Sequence, residues 1–73
     1  MRVYTKSGSC YEFVVRDGAF WTVFEGRDIQ VTDFENLEVG KRLTVWGYKL
    51  DIYGKPQHTK SFFKTSEILK IVD

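Results

Sequence analysis

The feature that most constrains this chain is its punctuation. Glycines at positions 8, 18, 26, 40 and 54 cut 73 residues into short runs, most of which alternate apolar and polar side chains. No run sustains a helical period. Two of the breaks have turn chemistry. Ser7-Gly8-Ser9 joins Val3–Thr5 to Tyr11–Val15, and Asp17-Gly18 joins that run to Ala19–Phe24. Asp-Gly between strand-like runs is a hairpin signal, because both central residues of a type I′ turn need positive φ. A third break at Gly26-Arg27-Asp28 leads into Ile29–Val31.

The fourth break is longer. Thr32 followed three residues later by Glu35 is a capping-box pattern, so one helical turn is expected near 33–38, ended by Gly40. A long strand then spans 41–50. Asp51–Pro56 forms a loop with Gly54 and Pro56, and a last strand runs from about Gln57 to Val72, interrupted at Thr65-Ser66. The β-branched Ile68, Ile71 and Val72 favour strand over helix in 65–72. The expectation is one all-β domain over 1–73: a small antiparallel barrel of five to six strands, with closure hiding the sheet edges.

Alternation assigns faces. Tyr11, Phe13 and Val15 share a core face opposite Glu12 and Arg16. Leu43 and Val45 point inward, which sends Arg42, Thr44, Trp46, Tyr48 and Leu50 outward and leaves Gly47 at an inward position suited to a bulge or corner. Phe20 and Phe24 oppose Trp21 and Val23, and the adjacent Phe62 and Phe63 must split between faces. Aromatics are 16% of the chain, more than one small interior holds, so some large rings are expected outside, where they mark a contact site.

Net charge is only +1, but its distribution is uneven. Residues 1–40 hold four Lys/Arg against seven Asp/Glu; residues 41–64 hold six Lys/Arg against Asp51 alone. A positive field over the second half is therefore expected. There Trp46, Tyr48, Tyr53, His58 and Phe62 interleave with Arg42, Lys49, Lys55, Lys60 and Lys64. Rings that stack on bases are worth about 1–3 kcal/mol per base, and lysines follow phosphates. These ten residues are the candidate site, for single-stranded nucleic acid or for a protein partner, including a second copy of the chain. Trp, Tyr and Arg also anchor protein interfaces.

Other chemistry is poorly supplied. His58 is the only histidine, its nearest acid along the chain is Asp51, and a zinc site needs three or four ligands. Ser7, Ser9 and Ser66 sit in turn-like segments where hydroxyls bond local backbone, and Glu35 and Glu38 read as a solvated acidic loop. No phosphate-binding loop or dinucleotide fingerprint is present. The expectation is a non-enzymatic module with no catalytic residue, metal or cofactor. The single cysteine, Cys10, has no partner for an internal disulfide, which points to a reduced, cytoplasmic setting, and it reads as a buried, inert thiol. Arg2 and Lys6 flank a stretch too short and polar for a signal peptide, and no apolar run approaches a membrane span, so no membrane association is expected.

Two resemblances add to this reading. The stretch Leu37–Gly47, followed by Tyr53-Gly54-Lys55-Pro56-Gln57, resembles the second half of oligonucleotide-binding (OB) folds, with Ile68 or Ile71 closing the last strand. It implies an OB-like barrel, an SH3-like one being the alternative, whose β-face binds oligonucleotides. The short first strand, Arg2–Lys6, departs from that family. Thr5, Ser7, Gly8, Ser9 and Tyr11, with Thr65, Ser66 and Ile68, are similar to a pattern in short tailed-phage proteins. That resemblance implies a phage or prophage accessory protein of unassigned function, acting in the host cytoplasm.

Overall fold

A computed structural model describes residues 1–73 as seven strands: β1 Arg2–Thr5, β2 Cys10–Glu12, β3 Val14–Arg16, β4 Ala19–Phe24, β5 Arg27–Glu35, β6 Arg42–Lys49 and β7 Ser61–Val72. Local turn chemistry builds the middle of this series. Asp17 and Gly18 have φ of 53° and 73°, and Glu25 and Gly26 have 52° and 76°. Both pairs show the double positive φ of type I′ hairpins, whose twist matches the flanking strands. The third break is therefore the two-residue turn Glu25-Gly26, beginning one residue earlier than Gly26-Arg27-Asp28.

All ladders are antiparallel, and the sheet order is β2-β1-β7-β6-β5-β4-β3. The expected barrel of five to six strands is thus corrected to seven strands in one open sheet. The end strands, β2 and β3, are neighbours in sequence with only Phe13 between them. The chain turns at that residue, pairing with β1 before it and with β4 after it. Phe13 and Met1 exchange two hydrogen bonds, at 2.8 and 3.1 Å. Across the seam, Thr22 Oγ1 donates to the Glu12 carbonyl at 2.9 Å. This side-chain bond stands where a backbone ladder would close the sheet.

No helix forms. Residues 33–35, expected in a helical turn, are the end of β5, and 36–41 make an irregular connection. The capping-box reading fails because Thr32 sits in a β-bulge: Val31 pairs with Gly47 and Asp33 with Trp46, leaving Thr32 extra. Its hydroxyl donates to Asp33 Oδ2 at 3.0 Å and lies 3.4 Å from the Trp46 carbonyl. The bulge shifts the alternation by one residue, so Val31 and Phe34 both face the core while Asp33 and Glu35 face out. Gly47 is required on the facing strand. A Cβ there would lie 2.2 Å from the Gln30 carbonyl oxygen. With no helix at all, none is long and apolar enough to cross a membrane.

β7 stays extended through Thr65-Ser66, and 65–72 is strand throughout. The expected interruption is instead a register shift against β6, with a second against β1. Buried Thr65 Oγ1 accepts from the Leu43 N–H at 3.1 Å and donates to the Ser66 carbonyl at 2.6 Å, satisfying groups the irregularity would leave unpaired. Ser66 Oγ accepts from the Ser7 N–H at 3.0 Å, so the first turn is pinned to β7.

The core is Val3, Phe13, Ile29, Val31, Leu43, Val45, Phe63 and Ile68. Two aromatic clusters extend it. Phe13, Phe20 and Phe34 have ring centroids 5.0–5.8 Å apart. Tyr11, Phe24 and Phe63 lie 4.1–6.5 Å apart. Five of the six phenylalanines are used inside this way. Two expectations are corrected. Cys10 is exposed, because it shares the outer face with Glu12 rather than the core face with Tyr11. Val15 is exposed because the turn at Phe13 carries β3 out to the end of the sheet.

Candidate functional site

The remaining phenylalanine identifies the surface of interest. Phe62 and Phe63 are adjacent on β7, so strand geometry sends them to opposite faces. Phe63 is 8% exposed and Phe62 is 55% exposed. Phe62 pairs across the ladder with Trp46 on β6, their ring centroids 4.7 Å apart at an interplanar angle of 40°. Tyr48 follows two residues on, on the same face, beside Gln30 of β5. Gln30 in turn pairs with Trp21 of β4. An aromatic stripe, Phe62–Trp46–Tyr48 with Trp21 at its flank, therefore crosses the outer side of the sheet.

Charges border the stripe in strand order. On the β5 side the outward charged residues are Asp28, Asp33 and Glu35; on the β7 side they are Lys64, Glu67 and, just before the strand, Lys60. Glu35, Thr44 and Lys64 form one cross-strand row; Asp33, Trp46 and Phe62 form the next. Lys60 reaches across β6 to bind Asp33, its Nζ donating to Asp33 Oδ2. That hydrogen bond first, and the Thr32 hydroxyl second, hold the Asp33 carboxyl below its ordinary value of 3.8. Arg42, at the far end of β6, donates from Nε to the Thr65 carbonyl at 2.9 Å and faces Glu67 across the ladder.

The ten residues singled out from sequence thus divide. Arg42, Trp46, Tyr48, Lys60, Phe62 and Lys64 belong to this face. Lys49 does not: it pairs with buried Ile29 and sits at the rim of the opposite face. Tyr53, Lys55 and His58 lie in the 51–60 connection, all exposed. Asp51 Oδ1 accepts from the N–H groups of Tyr53 and Lys55, each at 2.9 Å, which shapes that loop and leaves Tyr53 81% exposed, with no aromatic ring packed on it. Trp21, Asp33 and Glu35 were missed. For Trp21 a signal existed: the two-residue Asp17-Gly18 turn fixes Ala19 opposite Arg16, hence Trp21 opposite Val14, both on the outer side. For the two acids there was none, because the bulge that turns them outward is a tertiary feature.

Part of the positive charge of 41–64 is met by acids of the first half. Pairing folds the acidic half against the basic one: Lys41 binds Glu38 at 3.0 Å, Lys60 binds Asp33, and Lys64 shares its row with Glu35. Trp21 is also braced locally, its indole N–H donating to the Arg16 carbonyl at 3.0 Å, with the Arg16 guanidinium 4.6 Å from the ring centroid. No three of His, Cys, Asp and Glu converge as metal ligands would. No protein-family model, curated protein or solved structure matches this chain.

Proposed function

We propose that this chain is a non-enzymatic binding module that engages a protein partner through the outer face of β5, β6 and β7. One observation carries the reading: a stripe of outward aromatic rings, Phe62, Trp46 and Tyr48, is bordered by the carboxylates Asp33 and Glu35 of β5 on one side and by Lys64 of β7 and Lys60 just before it on the other. Outward rings, with Phe62 exposed and Trp46 and Tyr48 half-buried, inside a mixed-charge border have the composition of a protein interface, whose aromatic centre supplies most of the affinity and whose rim supplies register.

Single-stranded nucleic acid is the second reading, favoured by the stacked Trp46–Phe62 pair. It is weaker on charge. A phosphate backbone laid along this stripe would meet Asp33 and Glu35 beside Lys60 and Lys64, and repulsion would offset much of the attraction. Fluorescence anisotropy with labelled oligothymidylate at low salt separates the two. The protein reading expects no saturable signal. Saturable binding that falls steeply with salt and is lost in Trp46→Ala, with the far-UV circular dichroism unchanged, would overturn it in favour of nucleic acid.

A further inference from the structure

The order of charges across the outer face has a symmetry of its own. Over its central rows the strands run acidic, aromatic, basic: β5 with Asp33 and Glu35, β6 with Trp46 and Tyr48, β7 with Lys64 and, just before the strand, Lys60; at the far end Arg42 of β6 faces Glu67 of β7. From this we infer that the partner is a second copy of the chain, packed face to face about a two-fold axis parallel to β6. The inference rests on the protein-binding reading above and names its occupant.

The geometry follows from the symmetry operation. A two-fold rotation about an axis parallel to β6 lays β6 over the partner's β6 and exchanges left with right. The acidic β5 of each copy then faces the basic β7 of the other. A two-fold axis perpendicular to the strands, also in the plane of the sheet, would instead set β5 on β5 and β7 on β7, with like charges opposed. Only the first arrangement is self-complementary, as an isologous interface must be. Rows are preserved under it. Glu35 and Lys64 occupy the same cross-strand row, on either side of Thr44, so each Glu35 comes to face the other copy's Lys64, twice per dimer. Trp46 meets its counterpart at the centre and each Phe62, on β7, comes to lie over the other copy's Asp33 beside it, in an aligned packing of two sheets about 10 Å apart.

Several features fit this occupant. Glu35 and Lys64 take part in none of the molecule's ion pairs, whereas the pair flanking the next row, Asp33 and Lys60, is closed within the chain. In the row they share, Glu35 and Lys64 are therefore an acid and a base at matching height that no ion pair within the chain uses. A standard interface takes about 800 Å² from each partner, about a sixth of this chain's 4981 Å² surface. The rings are anchored before binding, since Trp46 already packs on Phe62, so little side-chain freedom remains to be lost on association.

Sedimentation equilibrium over a wide concentration range, with the full chain, tests the inference. The wild type is expected to rise from the 8.6 kDa of one chain toward twice that mass. Glu35→Lys and Lys64→Glu each place two like-charge contacts in the interface and should weaken dimerisation on the order of tenfold or more. An equimolar mixture of the two variants restores both contacts in a mixed dimer, and the doubled mass should return. Both substitutions are at exposed sites, and the mixture itself reports whether the variants remain folded. A wild type that stays at the mass of one chain throughout overturns the dimer but leaves the protein-binding face standing, since that reading falls only to the oligonucleotide result. A wild-type dimer that neither charge variant weakens, or variants that fail to rescue one another, would also overturn this interface.

Discussion

Phe62 and Phe63 are the same residue type, one peptide bond apart, and the sheet puts them to opposite uses. Phe63 completes the inner cluster with Tyr11 and Phe24, its ring 4.1 Å from that of Phe24. Phe62 lies outside on Trp46. The inner ring is held by neighbours from three other strands, β2, β4 and β6, counting its ladder partner Val45. The outer ring has its aromatic contact on β6 alone, and more than half of it meets water. The contrast is softer along β6, where Leu43, Val45 and Gly47 are buried, Thr44 is covered on the outer side as well, and Trp46 and Tyr48 are half-buried. Composition therefore does not separate core from contact surface in this chain. Position in a two-residue alternation does, and a two-residue period is unforgiving of a one-residue error.

The strongest way to break this comparison is to truncate each ring. Phe63→Ala should cost about 3–5 kcal/mol, the range for large-to-small changes in a packed core, and for so small a domain that approaches its whole stability. Phe62→Ala should cost less than about 1 kcal/mol, as at other surface positions, while weakening self-association. Urea denaturation of the two variants measures both; equal losses would mean that the outer face is structural. Next in size is Gly47→Ala. With a Cβ 2.2 Å from a backbone oxygen of β5, the two central strands must separate, and a loss of about 1–3 kcal/mol is expected from overpacking. A thermal melt unchanged by this substitution would contradict the close approach at the bulge.

Thr22→Val tests the seam between the two end strands. It keeps the shape of a buried side chain and removes the donor to the Glu12 carbonyl, so a loss of about 1 kcal/mol is expected. Hydrogen exchange should quicken in β2 and β3 before it does so in β5 and β6. Smallest is the effect at Asp33. Its carboxyl is held below 3.8 by Lys60 and Thr32. The contribution is thus fully present above that ordinary value and is lost as pH falls below it, through the lowered one. The carboxyl carbon, followed by NMR, should titrate below 3.8 in the wild type and move back up in Lys60→Met. Absence of that upward move would mean that the ion pair across Trp46 does not persist in solution.

Legibility from sequence followed the range of the forces involved. The hairpin at Asp17-Gly18 and the strand–turn rhythm were readable because they depend on two adjacent residues and their φ preferences. The inward place of Gly47 and the outward place of Trp46 were readable from alternation along one uninterrupted strand. The helical turn near 33–38 was misread. Thr32 and Glu35 carry a capping signal of modest energy, and pairing with β6 outweighs it by extending β5 to Glu35. The same bulge hid Asp33 and Glu35 from the site. The strand count was misread because Phe13 divides one apolar run between two ladders.

The sequence by itself determined that the chain would be antiparallel β, where its tight turns would fall, and that it carried more rings than one interior could bury. Those properties are local sums over residues. The tertiary structure alone decided which charges meet. A basic segment that looked like a phosphate-binding tract is set beside an acidic strand, because sheet order places β5 and β7 on either side of β6. Charge balance on a surface depends on which strands are neighbours. Neighbours in a sheet are chosen by burial of the other face, on which Lys60, Lys64, Asp33 and Glu35 have no part.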